Sequence, residues 1–229
     1  MNGTELRYEL KFTAPEDSIN HARAWIRLHP EGFRPAFTSR HVNSIYLDTP
    51  TLTHLNDNLL GSRQRQKTRL RWYGDLSENI IDPVLELKLK DGYLGDKKRT
   101  MLPNLSLKQT WSQLIKQIRQ EAIAQNPDIW QKHLHPLLTP TILNRYKRDY
   151  FVSPDGQLRL TLDYNQQVFN QRFSTRPNIQ FPQLIQPLFV IEMKAPLELS
   201  NRLETAASHI PIRRNRNSKY VNAVLSTPR

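Results

Sequence analysis

The segment KTRLRWYGD, residues 67–75, alternates with a period of two and so constrains the chain to an extended strand. Lys67, Arg69, Arg71 and Tyr73 fall on one face, and Thr68, Leu70 and Trp72 on the other. The pattern recurs along the chain. Arg7, Glu9 and Lys11 alternate with Tyr8, Leu10 and Phe12; Glu86, Lys88 and Lys90 with Leu85, Leu87 and Leu89. Arg159, Thr161 and Asp163 alternate with Leu158, Leu160 and Leu162, and Glu192 and Lys194 with Ile191 and Met193. Strands with one apolar and one charged face assemble into an antiparallel sheet. A charged face is ordinarily a wet face, but here Arg and Lys predominate with Glu between them, whereas solubility alone would admit Ser, Asn and Gln freely. If the sheet closes on itself, the cationic faces line its interior and the apolar faces turn outward against helices.

The remaining elements fit that plan. Residues 5–13 form the first strand, and a helix follows whose stripe is Ile19, Ala22, Trp25 and Ile26, with Asp17 or Ser18 as cap and Pro30 as stop. SRHVNSIYLDT is a strand, and a short polar helix near 51–59 ends at Gly61. Residues 82–91 and 97–102 read as a hairpin around Gly92 and Gly95. Ser106 is placed as the cap of the longest helix, with Leu107, Trp111, Leu114, Ile115, Ile118 and Ala122 at helical spacing. After a connection bearing Pro and His come TILNRYKRDYFV, QLRLTLDYN, a short strand near 167–173, a Pro- and Gln-rich loop, and LFVIEMKAP. Two helices, from about Leu197 to Ser208 and after Ser218, close the chain. The fold class expected is α+β, a closed antiparallel β-barrel with helices packed on its outside, as a single domain over residues 1–229.

With 33 Lys and Arg against 21 Asp and Glu, the formal net charge of +12 implies an anionic partner. No cysteine is present, so disulfides, thiolate metal sites and a Cys nucleophile are excluded. The start carries no signal-peptide pattern and no run is long enough to span a membrane, which makes a soluble, cytoplasmic protein the expectation. There is neither a P-loop nor a G-x-G-x-x-G motif, and only seven glycines, so phosphate would have to be held by side chains. Guanidinium groups grip phosphate oxygens bidentately, and interleaved carboxylates relieve repulsion and offer hard ligands to Mg²⁺ or Mn²⁺.

The ordered series RYELKF, NSIYLDTP, TRLRWYGD, VLELKLK followed by KKR, NRYKRDYF, RLTLD, VIEMKAP and SKY resembles the VTC domain of polyphosphate polymerases, within the triphosphate tunnel metalloenzymes. The resemblance implies a closed barrel whose tunnel binds triphosphate and polyphosphate. It maps Lys11, Arg69, Arg71, Lys88, Arg145, Arg159 and Lys219 onto the basic tunnel residues and Glu192 onto the metal-binding glutamate. One of Lys97, Lys98 and Arg99 belongs to the same set; period two puts Lys97 and Arg99 on one face and Lys98 on the other. Glu9 and Glu86 are second-rank metal or water-orienting candidates. Arg7, Lys90 and Lys194, on the charged faces, and Arg148, in NRYKRDYF, join the candidate phosphate ligands. The hydrolytic branch carries Glu-x-Glu-x-Lys in its first strand where this chain has Arg7-x-Glu9-x-Lys11, which favours the polymerase branch.

The activity so implied is transfer of the γ-phosphate of ATP to a polyphosphate chain, with Mn²⁺ or Mg²⁺ at Glu192. Lys11, Arg69, Arg71, Lys88, Arg159 and Glu192 are then the catalytic set. With water as acceptor, the same residues would make a tripolyphosphatase or nucleoside triphosphatase. A non-catalytic binder of polyphosphate or nucleic acid is the third reading; no RNA-recognition motif is present and no specific nucleic acid is expected. Coupling to membrane transport would need a separate partner. The seven histidines lack metal-site spacing and are assigned no role.

Overall fold

A computed structural model describes residues 7–92 and 94–226. Glu5 and Leu6, read as the start of the first strand, lie outside the described residues. In chain order the elements are β1 (Arg7–Pro15), α1 (Ile19–Leu28), β2 (Arg34–Asp48), α2 (Thr53–Leu60), β3 (Gln64–Tyr73), β4 (Asn79–Ile80), β5 (Val84–Asp91) and β6 (Leu94–Met101). There follow β7 (Leu105–Ser106), α3 (Trp111–Gln125), α4 (Pro127–His133), β8 (Thr139–Val152), β9 (Arg159–Asn170), β10 (Leu188–Pro196), α5 (Ser200–Ser208) and α6 (Lys219–Leu225).

Eight strands form one sheet in the order β1-β10-β9-β8-β2-β3-β5-β6, and β4 pairs separately with β7. The β1–β10, β10–β9, β2–β3, β3–β5 and β5–β6 ladders are antiparallel. The mixed α and β composition is as expected, but the barrel is not closed: β1 and β6 end the order, and no ladder joins them among the described residues. Each edge is occupied by other parts of the chain. Phe12 bridges Arg214, and the Asn215 amide donates to the Lys11 carbonyl at 3.0 Å. At the other edge Trp130 Nε1 donates to Thr100 Oγ1 at 2.8 Å and Gln125 Nε2 to the Met101 carbonyl at 2.9 Å. Such coverage satisfies the open edges that closure would otherwise remove.

Contacts group the chain into two compact units: Met1–His41, Tyr146–Gln166 and Gln186–Ser218 in one, and Val42–Arg145, Gln167–Ile185 and Lys219–Arg229 in the other. The first unit packs the apolar faces of β1, β9 and β10 (Leu10, Phe12, Leu160, Leu162, Ile191, Met193) against Ala22 and Ile26 of α1 and Leu203 and Ala206 of α5. The second packs Leu70 and Trp72 of β3 and Leu85 and Leu87 of β5 against Leu114, Ile118 and Ala122 of α3 and Trp130 of α4. A smaller cluster in this unit sets Tyr220, Ala223 and Val224 of α6 against Tyr46 and Ile142. In both units the alternation read from the sequence decides which face is buried.

Four local expectations are corrected. Ser106 does not cap α3: Leu105 and Ser106 pair with β4, and Thr110 is the cap, in a reciprocal capping box with Gln113. Residues 127–133, read as a connection, form α4, which Pro127 and Asp128 start well. Ser18 makes no capping bond to α1, because its hydroxyl donates back to the Pro15 carbonyl at 2.8 Å. The strands read at 157–165 and 167–173 are one strand, β9, with Asn165 at φ +51° inside it. No helix among the described residues is long and apolar enough to cross a membrane.

Thr110→Ala is expected to cost about 1 kcal/mol of stability by freeing the Gln113 amide, while Thr110→Ser stays near wild type; urea unfolding midpoints measure both.

Candidate phosphate-binding site

In the second unit the register of three strands assembles a cationic cluster on one carboxylate. Arg69 of β3 lies opposite Glu86 of β5, and Glu86 lies opposite Arg99 of β6. Glu86 Oε2 meets Arg69 Nη2 at 2.6 Å and Arg71 Nη1 at 3.6 Å, while its Oε1 meets Lys97 Nζ at 2.5 Å and Arg99 Nε at 3.2 Å. Glu86 is only 4% exposed, so its own charge is fully committed to these cations. Burial alone would raise its pKa, but Arg69, Arg71 and Lys97 overcome this and hold the carboxyl far below its usual range. Four basic groups gather on this one carboxylate, the kind of positive surplus that an anion site requires.

Lys97 is the cation that this setting perturbs downward. Burial, with Arg69 and Arg99 adding repulsion, pushes its ammonium down to about 7 despite the attraction of Glu86. Lys88 extends the surface, lying opposite Lys67 on β3 and Lys97 on β6. Lys98, one residue out of phase, instead pairs with Asp96 at 2.9 Å. Of the cations in KKR, Lys97 and Arg99 meet Glu86 and Lys98 turns to the other face, as period two requires.

Behind Arg69 stands a polar relay that sequence reasoning missed. Arg69 Nη1 donates to the Tyr46 hydroxyl at 3.2 Å, and Tyr46 stacks on Tyr220 of α6 with ring centroids 4.9 Å apart. The Tyr220 hydroxyl donates to Asp48 Oδ2. Asp48, fully buried, also accepts the Leu55 amide at 2.9 Å on Oδ2 and the His54 amide at 2.9 Å on Oδ1. His54 accepts from Gln66, whose carbonyl oxygen accepts from His133 Nδ1 at 3.0 Å. The signal was present as a lone Asp at the end of an apolar strand, NSIYLD, but its partners are remote in sequence. Arg71 is held in turn by Ser44, and Asn144 Nδ2 donates to the carbonyl of Lys219, the first residue of α6. Arg145 reaches Asp75 at 3.5 Å.

The first unit carries a different arrangement. Lys11 of β1 lies opposite Glu192 of β10, and Glu9 opposite Lys194, so two acids and two bases alternate like a checkerboard. Lys11 Nζ is 2.7 Å from Glu9 and 3.7 Å from Glu192, and Lys194 contacts both carboxylates as well. Burial and the neighbouring Glu192 raise the Glu9 pKa, but Lys11 and Lys194 outweigh them and the net shift is downward. Glu192 is 8% exposed. Arg159 lies opposite Lys194 on β9 and is exposed. Arg148 is differently employed: it makes a bidentate pair with buried Asp163, at 2.5 and 2.7 Å, which keeps it charged in spite of burial. Arg7, opposite Pro196, is exposed, and Lys90 of the second unit lies opposite Arg65.

Among the described residues no three His, Cys, Asp or Glu side chains converge on a metal-sized site. The donor pair Glu9 and Glu192 nonetheless suits a hard cation of the Mg²⁺ or Mn²⁺ kind, which takes one or two carboxylates and fills its remaining positions with water or phosphate oxygens.

The profile described as VTC domain matches residues 6–227. The chain belongs to the VTC domain family. Membership carries a polyphosphate-related function. No curated protein matches this VTC domain in sequence. Among solved structures it is similar to PH1819 from Pyrococcus horikoshii OT3, with TM-score 0.50, 14% identity, and 95% of this chain and 98% of that one covered. It is also similar to a protein of Vibrio parahaemolyticus described as a candidate adenylate cyclase, with TM-score 0.51, 13% identity, and 97% and 99% covered. At these identities the likeness is one of fold.

Two outcomes test the cationic cluster of this VTC domain. Glu86→Gln removes the shared counter-charge and is expected to destabilise the protein by about 3 kcal/mol in urea unfolding. Because Lys97 titrates lower folded than unfolded, the unfolded chain binds more protons between about 7 and its ordinary 10.5. Stability relative to Lys97→Met should therefore rise across that window and be flat below it, as read from unfolding midpoints at stepped pH.

Proposed function

We propose that this VTC domain is a metal-dependent phosphotransferase that moves the γ-phosphate of ATP onto a polyphosphate chain. The observation that carries the reading is the surplus of cations on Glu86, since an excess of fixed positive charge held in place beforehand is what a polyphosphate needs. In this reading Glu86 is not a metal ligand. Both its oxygens are engaged by cations, and its task is to hold Arg69, Arg71, Lys97 and Arg99 in register for phosphate.

Arg69 and Arg71 grip phosphate oxygens in fixed orientation, supported by Tyr46 and Ser44. Lys88, Lys97 and Lys219 supply mobile point charges to a chain of repeating anions. Glu192 and Glu9 would hold Mn²⁺ or Mg²⁺, and Lys11, Lys194 and Arg159 would neutralise the phosphate oxygens. When bound, such a metal would supply charge neutralisation to the phosphates. In the transfer, an oxygen of the acceptor phosphate attacks the γ-phosphorus, the bond to the β–γ bridging oxygen breaks, and ADP leaves with that electron pair. The acceptor is already an anion, so no general base is required, and the fixed cations align donor and acceptor and absorb charge spread over the equatorial oxygens.

Incubation with ATP and Mn²⁺ should yield long phosphate chains on a gel together with ADP. Orthophosphate and ADP without chains would identify the same residues as a hydrolase. Arg69→Ala and Glu192→Gln are each expected to lower kcat/KM at least 100-fold, with Arg69→Lys recovering little because one ammonium cannot replace a bidentate grip.

A further inference from the structure

An aromatic and cationic group in the first unit stands apart from the residues assigned above. Phe37, on the N-terminal half of β2, is 66% exposed and meets the ring of Tyr150 edge-on, with centroids 5.7 Å apart. The Arg40 guanidinium lies 5.0 Å from the centre of the same Tyr150 ring, and its Nε donates to the Tyr150 hydroxyl at 3.2 Å. Arg148, paired with Asp163, lies 5.9 Å from the centre of that ring. A single exposed Phe is ordinary on any surface. Here the exposed ring is fixed by a second aromatic that two guanidinium groups hold in turn, and the exposed face is left open.

Strand register connects this group to Glu192. The Ser153 amide donates to the Leu158 carbonyl, and Arg148 meets Asp163, so β8 and β9 run past each other with Tyr150 opposite Thr161. Thr161 is opposite Glu192. Residues opposite one another share a face, which places Tyr150 two strand spacings, about 10 Å, from Glu192 on one surface. Arg40 lies beyond Tyr150 on the same side, as its contacts show. The span from Glu192 to Phe37 is thus on the order of 15 Å, comparable to an extended nucleoside triphosphate.

We propose that Phe37, with Tyr150 and Arg40, forms a subsite for the base of a nucleoside triphosphate whose phosphates lie toward Glu192, Lys11 and Lys194. The inference rests on the triphosphate reading of the preceding section. The base stacks on the open face of Phe37, and the Arg40 guanidinium donates to acceptors on its edge, as a purine N7 offers. Stacking tolerates any base but favours the larger purines.

Titrating wild type, Phe37→Ala and Phe37→Trp with the β,γ-imido analogue of ATP and with inorganic tripolyphosphate, both in Mn²⁺, tests it. Phe37→Ala should weaken the ATP analogue about tenfold, Phe37→Trp should restore it, and the Kd for tripolyphosphate, which has no base, should stay within twofold. An unchanged Kd for the ATP analogue in Phe37→Ala, with tripolyphosphate still bound, overturns the base subsite alone. Equal weakening of both ligands also overturns it, because the loss would then lie in phosphate binding. Failure of wild type to bind either ligand overturns the triphosphate reading and the subsite with it.

Discussion

A buried carboxylate shared among four cations organises the second unit. Placing Arg69 and Arg71 of β3 and Lys97 and Arg99 of β6 on the two sides of β5 is unfavourable, and the repulsion grows as water is excluded. Glu86 makes the arrangement tolerable without cancelling it, for one negative charge cannot balance four positive ones. The remainder is an excess of positive charge on this face, and Lys97, lowered chiefly by burial, is lowered further by Arg69 and Arg99. The cross-strand register is therefore the functional element: a slip of one residue would send Glu86 into the apolar core and the leucines into the site.

The first unit solves a different problem with similar residues. There Glu9 and Glu192 alternate with Lys11 and Lys194, so charge is balanced, and the two lysines hold the Glu9 carboxyl below its ordinary range in spite of burial. The second unit's cluster is rich in cations, and the first unit's is balanced.

Much of this was legible in the sequence because period two is a local property. The faces of β1, β3, β5, β9 and β10, the apolar partners behind them and the candidates Lys11, Arg69, Arg71, Lys97 and Glu192 follow from alternation and from the VTC resemblance. What could not be read were relations between distant segments. The open edges of the sheet depend on Asn215 lying along β1 and on Trp130 and Gln125 meeting β6. The pairing of Arg148 with Asp163 and the sharing of Glu86 by cations of two other strands are such relations. Asp48 and Tyr220, 172 residues apart, give no local pattern at all.

The most direct test of the account is a crystal structure of the protein soaked with a non-hydrolysable triphosphate and Mn²⁺. Phosphate oxygens within hydrogen-bond distance of Arg69, Arg71 and Lys97, with Glu86 still bridging the cations and the ion on Glu192, are the predicted result. Phosphates bound elsewhere, with the Glu86 cluster left untouched, would contradict it.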